Sequence, residues 1–246
     1  MIKIAMIGAG SVGFTRKLVA DVLSVPELAD TEFRFMDISP ENLQMATDLC
    51  RKSIADNGLP ATIVPTTDRR EAIAGADYVM STVRVGGLEA FGHDVEIPLK
   101  YGVDQCVADT LGPGGIFYGL RTIPVILDIC RDIREVSPDA LFLNYSNPMA
   151  MNTWAAHRAG GVRFIGLCHG VEGGHALMAK ALGLPPEEVY FVCAGINHQT
   201  WYIQVTHQGK DILPFLLEAM EQNPEIRERE PARIDILRRF GYFSTE

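Results

Sequence analysis

The sequence predicts an α/β protein: a doubly wound parallel sheet with helices on both faces, followed by the start of a smaller α+β domain. Three observations predict it. An apolar run at residues 2–7 leads straight into Gly8-x-Gly10-x-x-Gly13, and the next apolar segment closes on an acid, Asp37. Apolar runs then alternate with helical periods to about residue 168, the pattern of successive parallel-sheet crossovers.

The elements follow in order. Residues 2–7 form a strand, 14–25 a helix, 32–37 a strand and 40–57 a helix. A strand at about 61–65, a helix at 69–74 and a strand at 77–83 come next. Helix 40–57 opens with Ser39 as N-cap and Pro40 at its first position, places Leu43, Ala46, Leu49 and Cys50 on one face, and stops at Gly58. A glycine-rich loop is expected at 85–92. A long helix starting near Ile116 carries Ile123, Ile126, Leu127, Cys130 and Ile133 on one face, and Pro138 ends it. Leu141-Phe-Leu-Asn-Tyr-Ser-Asn147 reads as another buried strand, then helix 149–159 and a strand from Arg163. Beyond residue 168 the expectation is a helix at 173–182 capped by Gly183, strands near 188–193 and 200–206, a hairpin-like turn at Gly209, and a charged amphipathic stretch at 224–240. The predicted division is 1–168 and 169–246.

The first strand, turn and acid have the spacing of a Rossmann-type dinucleotide site. Gly8 permits the tight turn, Gly10 lets the backbone approach a pyrophosphate, and Gly13 is expected to let the helix pack on the sheet. Ser11 and Val12 complete the turn and offer the helix N-terminus to phosphate. Asp37 is placed to accept from an adenosine ribose, which favours NAD over NADP because a 2′-phosphate would be repelled.

With 246 residues, 47% apolar and 22% charged, the chain has enough material for a substantial core. A net charge of −9 argues against nucleic acid and anionic membranes as partners. No signal peptide or apolar run of membrane-spanning length is seen. The five cysteines, Cys50, Cys106, Cys130, Cys168 and Cys193, are odd in number and widely spaced. They read as reduced thiols, so a cytoplasmic enzyme is expected.

Several polar residues stand at strand ends, where ligands bind in open parallel sheets. Asn144 and Asn147 flank the end of one strand, as cofactor and substrate contacts or as a plain strand-to-helix turn. Arg84 follows another, to bind a substrate hydroxyl or anion or to pair on the surface. Asp109 stands at the mouth of Asp109-Thr-Leu-Gly-Pro-Gly-Gly, as a general acid or, on its own more simply, as a cap of the helix that follows. Cys168-His169 ends a further strand, and Asn197-His198 lies 30 residues on. Thiolate and imidazole suit a divalent transition metal, although a lone cysteine is more often a small buried hydrophobe. His93, His157, His175 and His207 read as structural or solvated.

Taken together, Gly8-Ala-Gly-Ser-Val-Gly-Phe, Asp37-Ile-Ser, Asp109-Thr-Leu-Gly-Pro-Gly-Gly-Ile-Phe, Asn144-Tyr-Ser-Asn-Pro-Met, Gly166-Leu-Cys-His-Gly-Val and Gly195-Ile-Asn-His-Gln-Thr-Trp resemble the ordered motifs of glycoside hydrolase family 4. His169 after the cysteine brings the chain nearest the family's α-galactosidases. The α-glucuronidases and α-galacturonidases, which share Cys-His, are the alternative. The resemblance implies hydrolysis by NAD-dependent transient oxidation at sugar C3, metal-assisted elimination of the aglycone, water addition and re-reduction, outside the usual paired-carboxylate scheme. It implies NAD and Mn²⁺ (or another divalent transition metal) as cofactors and a small α-glycoside as substrate. It assigns Cys168 and His198 to the metal, Asp109 to proton donation, and Asn147 and His169 to the sugar. A homo-oligomer is expected. The base of the family is a tyrosine expected beyond residue 246, not Tyr242, so the chain is expected to be a piece of a longer protein. Two readings of other classes are a 2-hydroxy acid dehydrogenase, whose lactate/malate-type fold is similar, and a non-catalytic NAD-binding module.

Overall fold

A computed structural model describes residues 1–196 and 198–245, in two compact units, Met1–Leu167 and Cys168–Glu246. The first unit runs β1 (Lys3–Ile7), α1 (Val12–Leu23), β2 (Glu32–Met36), α2 (Pro40–Asp56), β3 (Thr62–Thr66), α3 (Arg69–Ile73), β4 (Tyr78–Ser81), α4 (Gly87–Lys100), α5 (Gly112–Val136), β5 (Leu141–Asn144), α6 (Met149–Ala155) and β6 (Arg163–Gly166). Its six strands form a parallel sheet in the order β3-β2-β1-β4-β5-β6. This is the Rossmann-type sheet expected, with the order reversing between β1 and β4.

The alternation along β1 shows how the sheet is held. Ile4 and Met6 face one core, with Val19 of α1 and Leu43, Cys50 and Ile54 of α2. Ala5 and Ile7 face the other, with Ile126, Ile129, Cys130 and Ile133 of α5 and Phe142 of β5. Both faces of a parallel sheet are covered, so its strands are nearly continuously apolar. Pro65, which has no N–H to give a ladder, sits on the edge strand β3.

Several expected boundaries move. The segment taken for a loop at 85–92 enters α4, whose Asp94 is buried against Arg121 of α5 in a two-pronged ion pair. The glycines at 86, 87 and 92 lower intrinsic helix preference, and packing overrides them. Helix α5 starts at Gly112, ahead of Ile116, and Thr122 and Ile129 replace Ile123 and Leu127 among its fully buried residues. In α2 Leu49 is 39% exposed, and Thr47 and Ile54 complete the buried face. Ser39 caps α2 as expected, accepting from the Asn42 N–H at 3.3 Å.

The second unit runs α7 (His169–Leu182), β7 (Val189–Ile196), β8 (Gln199–His207), β9 (Lys210–Asp211), α8 (Leu213–Gln222), α9 (Pro224–Arg229), α10 (Pro231–Phe240) and β10 (Phe243–Ser244). Its antiparallel sheet runs β10-β8-β7, with β9 on β8. Met178, Tyr202, Val205, Leu216, Met220, Leu237 and Phe243 make its core. Helix α7 begins four residues earlier than its glycines suggest, which makes Cys168 its N-cap. Gly183 closes it at φ +66°, and Gly209 turns β8 into β9 at φ +76°. The charged stretch at 224–240 breaks at Glu230 into α9 and α10. Among the described residues no helix is long and apolar enough to cross a membrane.

Candidate active site

In the first unit, β1 delivers the glycine-rich turn to the point where the strand order reverses. Gly8 sits at φ +90°, and a Cβ there would lie 3.0 Å from the backbone of Thr82 and Val83 beyond β4. Thr82 Oγ1 donates to Gly8 O at 2.9 Å. Gly10 donates its N–H to Asp37 Oδ2 at 2.8 Å, and a Cβ on Gly10 would fall 2.6 Å from that oxygen. Asp37 Oδ1 accepts the Ser39 N–H at 2.9 Å. The carboxylate therefore pins the turn while keeping lone pairs for another donor.

Ser11 is the N-cap of α1 without a side-chain cap bond, and no acid occupies the first turn of the helix. Its N–H groups and positive dipole end are uncompensated from within, as anion binding requires. One expectation is corrected. A Cβ on Gly13 would meet nothing within 4 Å, so close packing of helix on sheet does not demand glycine there. The cradle of Gly8, Gly10 and Asp37, which side chains at the glycines would fill, fits a dinucleotide.

At the end of β5, Asn144 is fully buried. Its Nδ2 donates to Ser146 O at 2.9 Å and its Oδ1 accepts the Ser146 N–H at 3.2 Å, which closes the turn on itself. Asn152 Nδ2 joins at Ser146 O, and Ser146 Oγ is 3.1 Å from Ser81 Oγ on β4. Asn147 follows, half-buried, with a cis peptide to Pro148. Phe14 of α1 packs edge-on against Tyr145 at 5.5 Å, which holds this turn beside the start of the glycine-rich helix.

Arg84 and Asp109 meet. Arg84 Nη2 stands 3.3 Å from Asp109 Oδ2, and Thr110 Oγ1 donates to Oδ1 at 3.0 Å. The Arg84 guanidinium lies over Phe91 at 5.0 Å and Tyr118 at 5.8 Å. Burial pushes the Tyr118 phenol up against the opposing pull of that guanidinium. The simpler reading of Asp109 as a helix cap does not hold: the N-cap of α5 is Leu111, with no side-chain cap bond. Gln105 ties the loop instead, accepting the Gly114 N–H at 2.8 Å and donating to Asp94 O at 2.9 Å. Gln105 and the Asp94–Arg121 pair escaped the sequence reading. For Asp94 and Arg121 the one signal was a charged residue on a helix face, and for Gln105, in the connection between α4 and α5, there was none.

In the second unit, Cys168 is half-buried at the N-cap of α7 and His169 is exposed as the first helical residue. His198 lies immediately before β8 in the left-handed region, at φ +59°. Non-glycine residues are uncommon there, Asn, Asp and His being the most frequent. Asn197 lies outside the described residues. A thiol and an imidazole are donor types that suit a transition metal and would leave positions for substrate oxygens. Among the described residues, no three His, Cys, Asp or Glu side chains gather to hold a metal unaided. The other histidines serve elsewhere: His175 Nε2 is 2.9 Å from Val189 O, His207 Nε2 is 2.8 Å from Glu188, and His93 and His157 are exposed.

A glycine-rich cradle at the switch point of a Rossmann-type sheet defines the class, a dinucleotide-binding α/β protein. The particular family is equally plain. The model of the family 4 glycosyl hydrolases matches residues 3–184, and that of the family 4 C-terminal domain matches residues 193–246. The chain belongs to glycosyl hydrolase family 4. It is 55% identical to an α-galactosidase of Rhizobium meliloti (strain 1021) over 246 residues, 99% of this chain and 50% of that protein. An α-galactosidase of Bacillus subtilis (strain 168) is 39% identical over 248 residues, 100% of this chain and 57% of that protein. The structure of a 6-phospho-β-glucosidase from Thermotoga maritima, with manganese, NAD⁺ and glucose-6-phosphate, matches with a TM-score of 0.85 at 26% identity. That match covers 100% of this chain and 57% of the solved one. The chain spans about half the length of the curated relatives it matches.

Proposed function

We propose that the chain carries the cofactor- and metal-binding part of an α-galactosidase acting on small α-galactosides. The observation that carries the reading is the Asp37-pinned glycine turn together with Cys168 and His198, in a family 4 chain 55% identical to an α-galactosidase. Bound NAD⁺ supplies a hydride acceptor for sugar C3, and a divalent metal such as Mn²⁺ supplies Lewis acidity toward the C2 and C3 oxygens.

The residues of the chain bind and orient around those groups. Gly8 and Gly10 keep the turn clear of side chains so that the backbone can approach the pyrophosphate, Ser11, Val12 and Gly13 offer it the N-terminal end of α1, and Asp37 accepts from the adenosine ribose. Asn144 contributes through the turn that it closes, and Asn147 accepts or donates to sugar hydroxyls. Arg84 is pre-oriented by its aromatic neighbours to bind substrate, and Asp109 gives a proton to the departing aglycone. Cys168 and His198 hold the metal, and His169 touches the sugar. A cytoplasmic location goes with this reading, supported by five free cysteines. A homo-oligomer does too, supported by exposed Ile116, Phe117 and Leu120 on one side of α5.

The test is hydrolysis of an aryl α-galactoside by the polypeptide carrying this chain at the length of its relatives. It is run with and without NAD⁺, Mn²⁺ and a thiol reductant. Activity is expected only with all three, and undiminished activity after both cofactors are stripped overturns the proposal. Hydrolysis confined to aryl α-galacturonides or α-glucuronides would move the substrate to the uronides.

A further inference from the structure

Cys168 and His198 belong to different elements. One opens helix α7 and the other precedes strand β8, so something must hold that helix end and that strand in register. Tyr202 stands on β8 four residues after His198 and is fully buried. Its hydroxyl donates to the carbonyl of Val171, in the first turn of α7 and three residues after Cys168. Burial pushes the phenol well above its ordinary range, so it stays a proton-bearing donor.

The helix is shaped for this contact. A Cβ on Gly174 would lie 3.0 Å from two ring carbons of Tyr202 and closer still to its oxygen, so only glycine admits the ring. Phe191 and Phe243 pack on the ring at centroid distances of 5.4 and 5.6 Å, which restrains where the hydroxyl points. A metal held by two protein donors depends on their spacing to within about 0.5 Å.

We propose that Tyr202, admitted by Gly174, is a positioning residue that sets the spacing of Cys168 and His198. The inference rests on the ligand roles given to those two residues above. A buried tyrosine could instead serve packing alone. The two roles differ in what they move, because packing changes melting temperature and positioning changes metal affinity.

The experiment titrates the chain with Co²⁺ under anaerobic, non-thiol reducing conditions and follows the thiolate-to-cobalt charge-transfer absorption. The wild type should show the band and Cys168→Ser should lose it. Tyr202→Phe, which keeps the ring and removes the tie, should weaken Co²⁺ binding about 10-fold with an unchanged far-ultraviolet circular dichroism spectrum. Gly174→Ala should do the same by displacing the ring. A wild-type band with unaltered affinity in Tyr202→Phe overturns the positioning role alone. A wild type without the band overturns the ligand reading, and the positioning role falls with it.

Discussion

Arg84 and Asp109 lie 25 residues apart in sequence, and the reversal of chain direction through α4 brings Arg84 Nη2 to 3.3 Å from Asp109 Oδ2. Each had a bland local alternative, surface pairing for one and helix capping for the other. The structure joins them in one cluster with Phe91 and Tyr118.

Asp109→Asn should lower kcat for an aryl α-galactoside by about 10²–10⁴-fold, the usual scale for a lost general acid. Arg84→Lys keeps the charge but loses the planar fork and its stacking, so it should chiefly raise KM. Steady-state kinetics of the two variants checks both. Full activity in Asp109→Asn would remove it from proton transfer.

Asp37→Ala leaves the Gly10 and Ser39 N–H groups without their acceptor. Disordering that turn should weaken NAD⁺ binding by at least about 10-fold, given about 1–3 kcal/mol for each unsatisfied partner. Gly10→Ala should act the same way, since its Cβ would press on the Asp37 carboxylate. Calorimetric titration of the chain with NAD⁺ measures both.

His198 in the left-handed region carries a conformational cost of about 1–2 kcal/mol that glycine does not. His198→Gly should therefore hold or raise the melting temperature while abolishing the Co²⁺ response. A large loss of stability would show that the imidazole is structural.

Cys50 and Cys130 are buried, and desolvation pushes each thiol up to about 11. In the unfolded chain they release protons near pH 9, whereas the folded chain keeps them to about pH 11. The unfolded state thus binds fewer protons in that window, and stability falls as pH rises through it. Denaturant midpoints measured from pH 8 to 11 should decline, and replacing both cysteines with Ala should flatten that decline. At pH 8 a thiol reagent should label exposed Cys106 first and leave Cys50 and Cys130 unlabelled until unfolding.

Much of the cofactor cradle was legible because its logic is local. A strand, a Gly-x-Gly-x-x-Gly turn and an acid at the end of the next strand follow from backbone sterics and parallel pairing. The bonds from Asp37 to Gly10 and Ser39 realise that pattern. Helix α4 was not legible, because Gly92 and Pro98 disfavour helix locally. Its stability comes from α5 through the Asp94–Arg121 pair and Gln105. The start of α7 was hidden in the same way by Gly170, Gly173 and Gly174, one of which is needed to admit Tyr202.

By itself the sequence determined the parallel sheet, its flanking helices, the glycine turn with Asp37, and the motifs that mark family 4. Each depends on residues close in the chain or on a strict period. Only the tertiary structure decided that Arg84 faces Asp109, that Asn144 spends its amide on Ser146, and that Tyr202 ties the Cys168 end of α7 to β8. Such contacts join side chains far apart in sequence, or settle which partner a buried polar group takes, and packing alone chooses among them.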